Sequence, residues 1–391
     1  MDMELTREQK MIVKNVKEFM RKEIGPVADE MDRDGRLPDG IWQTRGDLGL
    51  LGLGIPEEYG GSGMDKFTFT LVVEQMARVC PGLALSLTAH SNLCAHNIEH
   101  NATEVQKHKY LPGLCSGDRI GCLALTEPDA GSDAVGIQTT ATRDGDHFVL
   151  NGSKTFITNG PIADIALVYT KTDLGKKARG ITAFIVEKGT PGFSVSPKME
   201  KMGHRCSPTS ELIFNDCRVP AENVLGQVDN GVHVMMTGLD SERVVCAGLT
   251  LGNAEAALEL GLKYAKSRRQ FDQPICNFQM IKAKLANMYA EIEAARGLVY
   301  RAARLADQAD RGGKGTEIHK LAAAAILFAA KTTRRAVDES LQIHGGYGYT
   351  LDYPINRFYR DAKLMEIGAG TMEIRQLVVA DELIKRGPGY I

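Results

Sequence analysis

Leu125-Thr-Glu-Pro-Asp-Ala-Gly-Ser-Asp133 and Asn151-Gly-Ser-Lys-Thr-Phe-Ile-Thr-Asn-Gly160 are the two most informative segments of this chain. Each is a polar segment beside a predicted β-strand. Gly131 lets the backbone approach a ligand closely, and the hydroxyl groups of Thr126 and Ser132 offer adaptable hydrogen bonds. Either segment alone also fits an ordinary turn. Together, in one β-rich region, they predict a binding site for a flat ring that takes many hydrogen bonds.

Length and composition indicate an intracellular protein with a large core. The chain has 391 residues, 43% of them hydrophobic, and a formal net charge of −2. Two or three domains are expected, and nothing favours nucleic acid or an acidic membrane as a partner. The polar start at Met1–Glu8 lacks signal or transit character, and no segment has the roughly 18 apolar residues of a membrane span. We expect bacterial cytoplasm, or the mitochondrial matrix if the chain is a processed eukaryotic one.

The eight cysteines show neither a C-x-x-C pair nor the Cys/His spacing of a zinc site. They predict buried, reduced thiols and no metal site. Cys246 could in principle be a nucleophile, but no base is placed beside it by the sequence, and a free Cys is more often a small core residue.

The pattern changes twice along the chain, which predicts an α+β, mainly α fold. Residues 1–118 are helical in pattern, beginning with a capping box at Thr6-x-x-Gln9 and interrupted by a glycine-rich loop at Gly52–Gly63. Residues 223–391 again form long predicted helices, interrupted at Gly312-Gly313 and Gly345-Gly346.

Between these zones, residues 119–222 have the period of β-strands. The predicted strands are Gly121–Leu125, His147–Leu150, Lys154–Ile157, Ala166–Tyr169, Ile181–Val186 and Leu212–Phe214. Asp144-Gly145 and Asn151-Gly152 lie where hairpin turns are expected.

Further motifs extend the pattern to the C-terminus, and together they resemble the acyl-CoA dehydrogenase family over essentially the whole chain. These motifs are Arg268-Arg-Gln-Phe-Asp-Gln-Pro-Ile275 with Phe278-Gln279, Gln342-Ile-His-Gly-Gly346, Arg360-Asp-Ala-Lys363 and Ile367-Gly-Ala-Gly-Thr371. The resemblance implies an N-terminal helical domain at 1–118, a β-barrel-like middle domain at 119–222 and a C-terminal four-helix bundle at 223–391. It also implies a homotetramer that passes electrons to an electron-transferring flavoprotein.

The implied cofactor is FAD, although the chain carries no G-x-G-x-x-G fingerprint and no P-loop. By resemblance, the residues that contact FAD within one subunit are Leu123, Leu125, Thr126, Gly131, Ser132, Phe156, Ile157 and Thr158. Contacts to the FAD of a neighbouring subunit are implied for Arg268, Gln279, Gln342, Ile343, His344, Gly345 and Gly346, and adenine-side contacts for Thr371, Met372 and Glu373. Phe156 stands where many relatives carry Trp, and a core-packing role is the alternative.

The catalytic base is the point at which this sequence departs from most of the family. The usual Glu of the C-terminal loop is replaced by Ala369, whereas Leu239-Asp-Ser-Glu-Arg243 matches members that carry the base on an internal helix. Glu242 shares a helical face with apolar neighbours, so burial should raise its pKa, and Gly238 should leave space beside it. The alternative is a buried ion pair between Glu242 and a neighbouring Arg.

The resemblance also implies a substrate site. It consists of Ser132, Asp240, Ser241, Arg243, Ala369 and Gly370, with the Ala369 N–H on the thioester carbonyl oxygen and Arg243 near the pantetheine or phosphate. Arg243 could equally form a surface ion pair with Asp240.

We expect α,β-dehydrogenation of a short or branched acyl-CoA. Within the family, Ala89–Cys94, Arg179–Lys188 and Glu366–Thr371 most resemble members that act on isovaleryl-CoA, and this resemblance implies a role in leucine catabolism. Alicyclic carboxyl-CoA esters, an acyl-CoA oxidase and a non-catalytic CoA-ester-binding scaffold remain open. Glutaryl-CoA is less favoured, because Ser86–Asn92 resembles the segment that binds the free carboxylate of glutaryl-CoA in that branch of the family but contains no Arg.

Overall fold

The first helix begins at the predicted capping box. The Gln9 N–H donates to Thr6 Oγ1 and the Thr6 N–H donates to Gln9 Oε1, both at 3.1 Å. The computed structural model describes residues 4–310 and 316–389, so Gly312-Gly313 lies outside the described residues. The N-terminal helices are α1 (Arg7–Phe19), α2 (Ala28–Asp34), α3 (Ile41–Asp47), α4 (Lys66–Ala77), α5 (Pro81–Thr88), α6 (His96–Asn101) and α7 (Glu104–Ser116).

An eight-stranded sheet follows. Its strands are β1 (Gly121–Ala124), β2 (Thr140–Asp144), β3 (His147–Thr158), β4 (Ile165–Lys171), β5 (Ile181–Glu187), β6 (Phe193–Val195), β7 (Thr209–Pro220) and β8 (Val224–Leu225). The order is β6-β7-β3-β2-β4-β5-β8, and β1 pairs in parallel with β4. Every residue of β4 is buried, because helices cover the sheet on that side while the sheet packs on itself on the other.

One hairpin prediction is confirmed and the other is wrong. Asp144 pairs with His147 across the turn between β2 and β3. Asn151-Gly152, however, lies inside β3, where the register against β7 shifts between Leu150 and Gly152. Gly152 has a φ of +141°, and a Cβ there would lie 2.6 Å from Thr139 Oγ1, so this Gly forms a β-bulge and does not form a turn. The short strands β2, β6 and β8 were not predicted.

The C-terminal part is a helical bundle, so the predicted α+β, mainly α fold with three parts is confirmed. Its elements are α8 (Gly231–Ser267), the hairpin β9 (Arg269–Gln270) and β10 (Gln273–Pro274), α9 (Gln279–Asp310), α10 (Thr316–His344), α11 (Ile355–Ala362) and α12 (Met372–Arg386). No helix in the described part of the chain combines the length and apolar character needed to cross a membrane.

Helix α8 joins the bundle to the N-terminal helices. A Cβ on Gly248 would lie 2.6 Å from Thr70 Cγ2, and one on Gly252 would lie 2.1 Å from Glu74 O. Glycine at these positions therefore lets α8 pack closely against α4. This contact fixes the part of α8 that carries Glu242.

Candidate active site

The two polar loops of the β domain lie side by side, held by bonds from the end of β3. The Thr155 N–H donates to Thr126 O at 2.8 Å. The buried Lys154 ammonium donates to Leu125 O at 3.1 Å and to Glu127 Oε1 at 2.7 Å. A buried ammonium is stable when it has such a carboxylate partner, so this pair fixes the loop after β1 against β3.

Phe156 is the open part of this arrangement. Its side chain is 69% exposed and its φ is +59°, so the alternative of a core-packing Phe is wrong. Ile157, next to it, is buried, and Thr158 is half-buried. Across the loop, Ser132 is exposed, and no atom lies within 4 Å of the position that a Cβ on Gly131 would take. A bare aromatic ring beside open, polar backbone fits a flat ring cofactor.

Glu242 lies on α8, half-buried and with no hydrogen bond or ion pair to any described residue. Burial raises its pKa to about 7, against the opposing charges of Arg243 and Arg375. The alternative of an ion pair is wrong, because Arg243 Nη1 lies 3.0 Å from Asp240 Oδ1. That Arg243–Asp240 pair is itself largely buried, so it is not a surface pair. The result is a carboxyl group without a partner that changes charge near neutral pH.

Gly238 does not leave the predicted space. A Cβ there would lie 2.5 Å from Asn97 Nδ2, so Gly238 instead lets α8 approach α6. Ser241 is buried in the same contact, with its hydroxyl donating to Asn92 Oδ1 at 2.8 Å.

The C-terminal loop has left-handed backbone at two consecutive residues. Ala369 has a φ of +55° and Gly370 a φ of +85°. Among the described residues, no hydrogen bond uses the Ala369 N–H. Abstraction of an acidic C–H requires a base for the proton and a donor for the developing oxyanion, and the Glu242 carboxyl group and the Ala369 N–H are groups of these two kinds.

Family comparisons agree along the length of the chain. Three family descriptions match: "Acyl-CoA dehydrogenase, N-terminal domain" over residues 6–118, "Acyl-CoA dehydrogenase, middle domain" over 122–217, and "Acyl-CoA dehydrogenase, C-terminal domain" over 229–384. The chain belongs to the acyl-CoA dehydrogenase family. It is therefore an FAD-dependent oxidoreductase.

Two of the individual relatives are named for different acyl groups. The mitochondrial isovaleryl-CoA dehydrogenase of Pongo abelii is 46% identical over 96% of this chain and 88% of its own length. The structure of butyryl-CoA dehydrogenase from Megasphaera elsdenii is 43% identical, with a TM-score of 0.94 over 98% of this chain and 100% of that one. An acyl-CoA dehydrogenase from Bacillus anthracis, solved with FAD, is 37% identical, with a TM-score of 0.90 over 98% of this chain and 69% of that one.

A second set of expected FAD residues in this acyl-CoA dehydrogenase lies at one end of the helical bundle. Its exposed members are Arg268, Gln279, Gln342, Gly345 and Gly346, and its buried members are Ile343 and His344. Arg268 stacks 5.7 Å from the Tyr347 ring centre, and His344 stacks 4.4 Å from the Tyr264 ring and bonds to Ser340 O. Within residues 4–310 and 316–389, no hydrogen bond, ion pair or ring contact joins this set to the loops that carry Thr126 and Phe156.

The remaining expected FAD residues border a cavity of about 610 Å³ at the start of α12. Its lining comprises Thr371, Met372, Glu373, Ile367, Glu366, Lys363, Lys331, Arg334, Arg335 and Asp338. The Thr371 hydroxyl caps α12 by accepting from the Ile374 N–H at 3.3 Å. Several cations at a helix N-terminus suit a phosphate-bearing ligand.

Two further side chains near Glu242 bear on its chemistry. Burial and the charge of Glu242 raise the pKa of the Cys246 thiol, so Cys246 stays protonated and is not a nucleophile. Tyr169 of β4 is also buried, and its hydroxyl has no hydrogen-bond partner among the residues that the structure describes. Sequence reasoning did not identify Tyr169, because only the packing of the sheet against α8 brings it near Glu242.

Arg375 of α12 was also not identified. Its Nη1 donates to Met365 O at 2.6 Å and its Nη2 donates to Gly368 O, so its guanidinium bridges both ends of the segment before Ala369. A signal was present in the sequence: Arg375 follows Thr371 by one turn, and a cation at a helix N-terminus opposes the helix dipole.

Proposed function

We propose that this acyl-CoA dehydrogenase oxidises a short or branched acyl-CoA thioester to the 2-enoyl-CoA, with the Glu242 carboxylate removing the α-proton. The observation that carries the proposal is a half-buried carboxyl group without a partner, whose pKa burial raises to about 7. A base with that pKa is about half ionised at neutral pH and is basic enough to take a proton from carbon.

The C-terminal loop would stabilise the negative charge that develops on the thioester oxygen. The α-C–H of a thioester is a weak acid, so the developing enolate oxygen needs a donor. The unpaired Ala369 N–H supports that role, with Gly370 completing the turn. When bound, FAD would supply the acceptor for the hydride that leaves the β-carbon. The protein holds the ester between the Phe156 face of the β domain and Glu242, and receives the α-proton at a Glu242 carboxylate oxygen.

The other proposed contacts follow the family resemblance. For FAD they are Leu123, Leu125, Thr126, Gly131, Ser132, Phe156, Ile157 and Thr158 in one subunit, Thr371, Met372 and Glu373 at the adenine side, and Arg268, Gln279, Gln342, Ile343, His344, Gly345 and Gly346 of a second subunit. For the ester they are Ser132, Asp240, Ser241, Arg243, Ala369 and Gly370. The absence of contacts between the Arg268 set and the Phe156 loop in the described part of the chain supports a shared site in a homotetramer, and electron-transferring flavoprotein is the proposed acceptor.

Isovaleryl-CoA is the first proposed substrate, which would place the enzyme in leucine catabolism. A methyl group at Ala369 leaves room that a Glu side chain would fill, and that room accommodates a branch near the reacting carbons. The 46% identical isovaleryl-CoA dehydrogenase supports the same choice. Alicyclic carboxyl-CoA esters fit the same argument and form the second group to test.

The test is turnover of purified, FAD-loaded enzyme on isovaleryl-CoA, butyryl-CoA, 2-methylbutyryl-CoA, cyclohexanecarboxyl-CoA and glutaryl-CoA with an artificial electron acceptor. We expect isovaleryl-CoA to give the highest kcat/KM. Glu242→Gln should keep its flavin absorbance but fail to bleach with substrate. Glu259→Gln is the matched control, because Glu259 is an exposed Glu on the same helix that pairs with Arg78.

Normal bleaching by Glu242→Gln would refute the assignment of the base. Rapid peroxide formation in air without an acceptor would instead identify an oxidase. Comparable kcat/KM on all the esters would refute the proposed preference for a branched acyl group.

A further inference from the structure

Arg375 is a buried cation without a carboxylate partner. Its side chain is 1% exposed, and none of the ion pairs in the described part of the chain includes it. Its Nη1 and Nη2 donate to the carbonyl oxygens of Met365 and Gly368, while its Nε is buried and has no acceptor. Burial lowers the pKa of Arg375 to about 10, which measures how unfavourable this environment is for the charge. A hydrophobic side chain would fill the same volume at lower cost.

The two carbonyl groups that Arg375 binds belong to the segment that leads to the oxyanion donor. Met365 lies in the 3-10 turn Lys363–Glu366 after α11, and Gly368 immediately precedes the left-handed pair Ala369-Gly370. The planar guanidinium fork accepts only one relative placement of two carbonyl groups, so it fixes the path of the backbone between them. The direction of the Ala369 N–H follows from that path.

The charge of Arg375 also acts on the base. The elements packed around Glu242 contribute Arg243 and Cys246 from α8, Tyr169 from β4 and Arg375 from α12. Cys246 and Tyr169 are neutral, because burial raises the pKa of both.

The positive charge of Arg243 is largely neutralised by the nearby Asp240 carboxylate. Its Nη1 lies 3.0 Å from Asp240 Oδ1, and His319 Nδ1 of α10 lies 2.8 Å from the same oxygen. Arg375, unlike Arg243, forms no ion pair with a carboxylate in the described part of the chain, although the charge of Glu373 also acts on it.

We propose that Arg375 is a positioning residue for the dehydrogenation, whose guanidinium holds the loop Ile367–Gly370 so that the Ala369 N–H and the Glu242 carboxylate face the same substrate. This inference rests on the proposed function and deepens it. Its two components, the hydrogen-bonding fork and the charge, can be separated by substitution.

Arg375→Lys keeps the charge but cannot bridge two carbonyl groups in a plane. We expect kcat on the best ester to fall about 10²-fold, since a donor displaced by about 1 Å costs that much. The acid limb of the pH–rate profile should stay where it is in the wild type. Arg375→Gln removes the charge as well, so its acid limb should move to higher pH by at least about half a unit, because the loss of a nearby cation raises the pKa of Glu242.

Binding provides a readout that does not depend on turnover. In the Glu242→Gln background, calorimetric affinity for the ester should weaken up to about tenfold when Arg375→Lys is added, the worth of one hydrogen bond. Flavin absorbance and thermal unfolding of each variant establish that the protein is folded and loaded. His319→Gln serves as the control for the pH profile, and its acid limb should match that of the wild type.

If both Arg375 variants, folded and loaded with FAD, keep the wild-type kcat, pH profile and ester affinity, Arg375 is only structural and the inference is wrong. If Arg375→Gln does not fold, Arg375→Lys alone decides, through kcat and affinity. A wild-type enzyme that oxidises no ester would instead refute the proposed function, so the two failures are distinguishable.

Discussion

Two carboxyl groups, Glu242 on helix α8 and Glu74 on the adjacent α4, have pKa values raised by burial in different surroundings. Glu242 stands alone, and burial raises its pKa to about 7. Glu74 of α4 is 2% exposed, and burial together with the charge of Glu255 raises its pKa to about 8. The Tyr300 hydroxyl donates to Glu74 Oε2 at 2.9 Å and the Gln75 amide donates to Oε1 at 3.1 Å.

The comparison teaches that a raised pKa does not by itself identify a catalytic base. Glu74 shares its site with Glu255, which is paired with Arg78 and Arg296, so its proton is part of a closed internal network. Glu242 lacks such partners and keeps part of its surface open. Openness and the absence of partners distinguish a group that can exchange a proton with a ligand from one that stores a proton in the core.

The largest expected difference is in turnover. Glu242→Gln should lower kcat by about 10⁴-fold, the upper range for loss of a general base, because an amide cannot take the α-proton. Glu74→Gln makes the same chemical change at the closed site and should leave kcat within about threefold of the wild type. Steady-state rates per bound flavin measure both. A large loss of turnover in folded Glu74→Gln would break the comparison.

The pH dependence of turnover is a second test of the difference between Glu242 and Glu74. Glu242 acts only when ionised, so kcat should fall about tenfold per unit as the pH drops below about 7. The same limb should persist in Glu74→Gln. A wild-type profile that stays flat down to pH 5 would mean that Glu242 does not titrate in the expected range.

The pH dependence of stability tests Glu74. Its pKa is raised from 4.5 to about 8, so its contribution to stability is present below the unfolded value and is lost as the pH rises toward 8. Relative to the wild type, Glu74→Gln should therefore gain on the order of 4 kcal/mol between pH 5 and pH 9, at about 1.4 kcal/mol per pKa unit. Urea unfolding at a series of pH values measures this, and parallel curves for the two proteins would contradict it.

The smallest expected effect belongs to Tyr300→Phe. This change removes the hydroxyl that donates to Glu74 and should cost about 1 kcal/mol of stability. The acid limb of turnover should not move, because Tyr300 does not reach Glu242. The same urea series and pH–rate profile check both parts, and a shifted limb would show that the two sites are coupled.

Features that depend on short-range chemistry were predictable from the sequence. The capping box at Thr6 needs only residues three apart, and the apolar stripe around Glu242 follows from helical periodicity. The two polar loops could be paired because both adjoin strands of one sheet. Family motifs then supplied the cofactor, which no local pattern gives.

Features set by packing were not predictable. Asn151-Gly152 has the sequence of a turn, but pairing of β3 with β7 on both sides of it enforces a bulge. Gly238 was expected to open a space, and only the approach of Asn97 from α6 reveals its role. The contacts of Arg375 likewise depend on carbonyl groups whose positions a sequence does not display.

Helix α8 runs unbroken from Gly231 to Ser267 and carries both Glu242 and Glu255. The two carboxyl groups therefore lie on one continuous helix, roughly 20 Å apart along its axis at 1.5 Å per residue. The network of ion pairs around Glu255 holds the helix at a point well away from the reacting groups. Substitutions intended to raise heat resistance can therefore strengthen the network around Glu255 without changing the surroundings of Glu242.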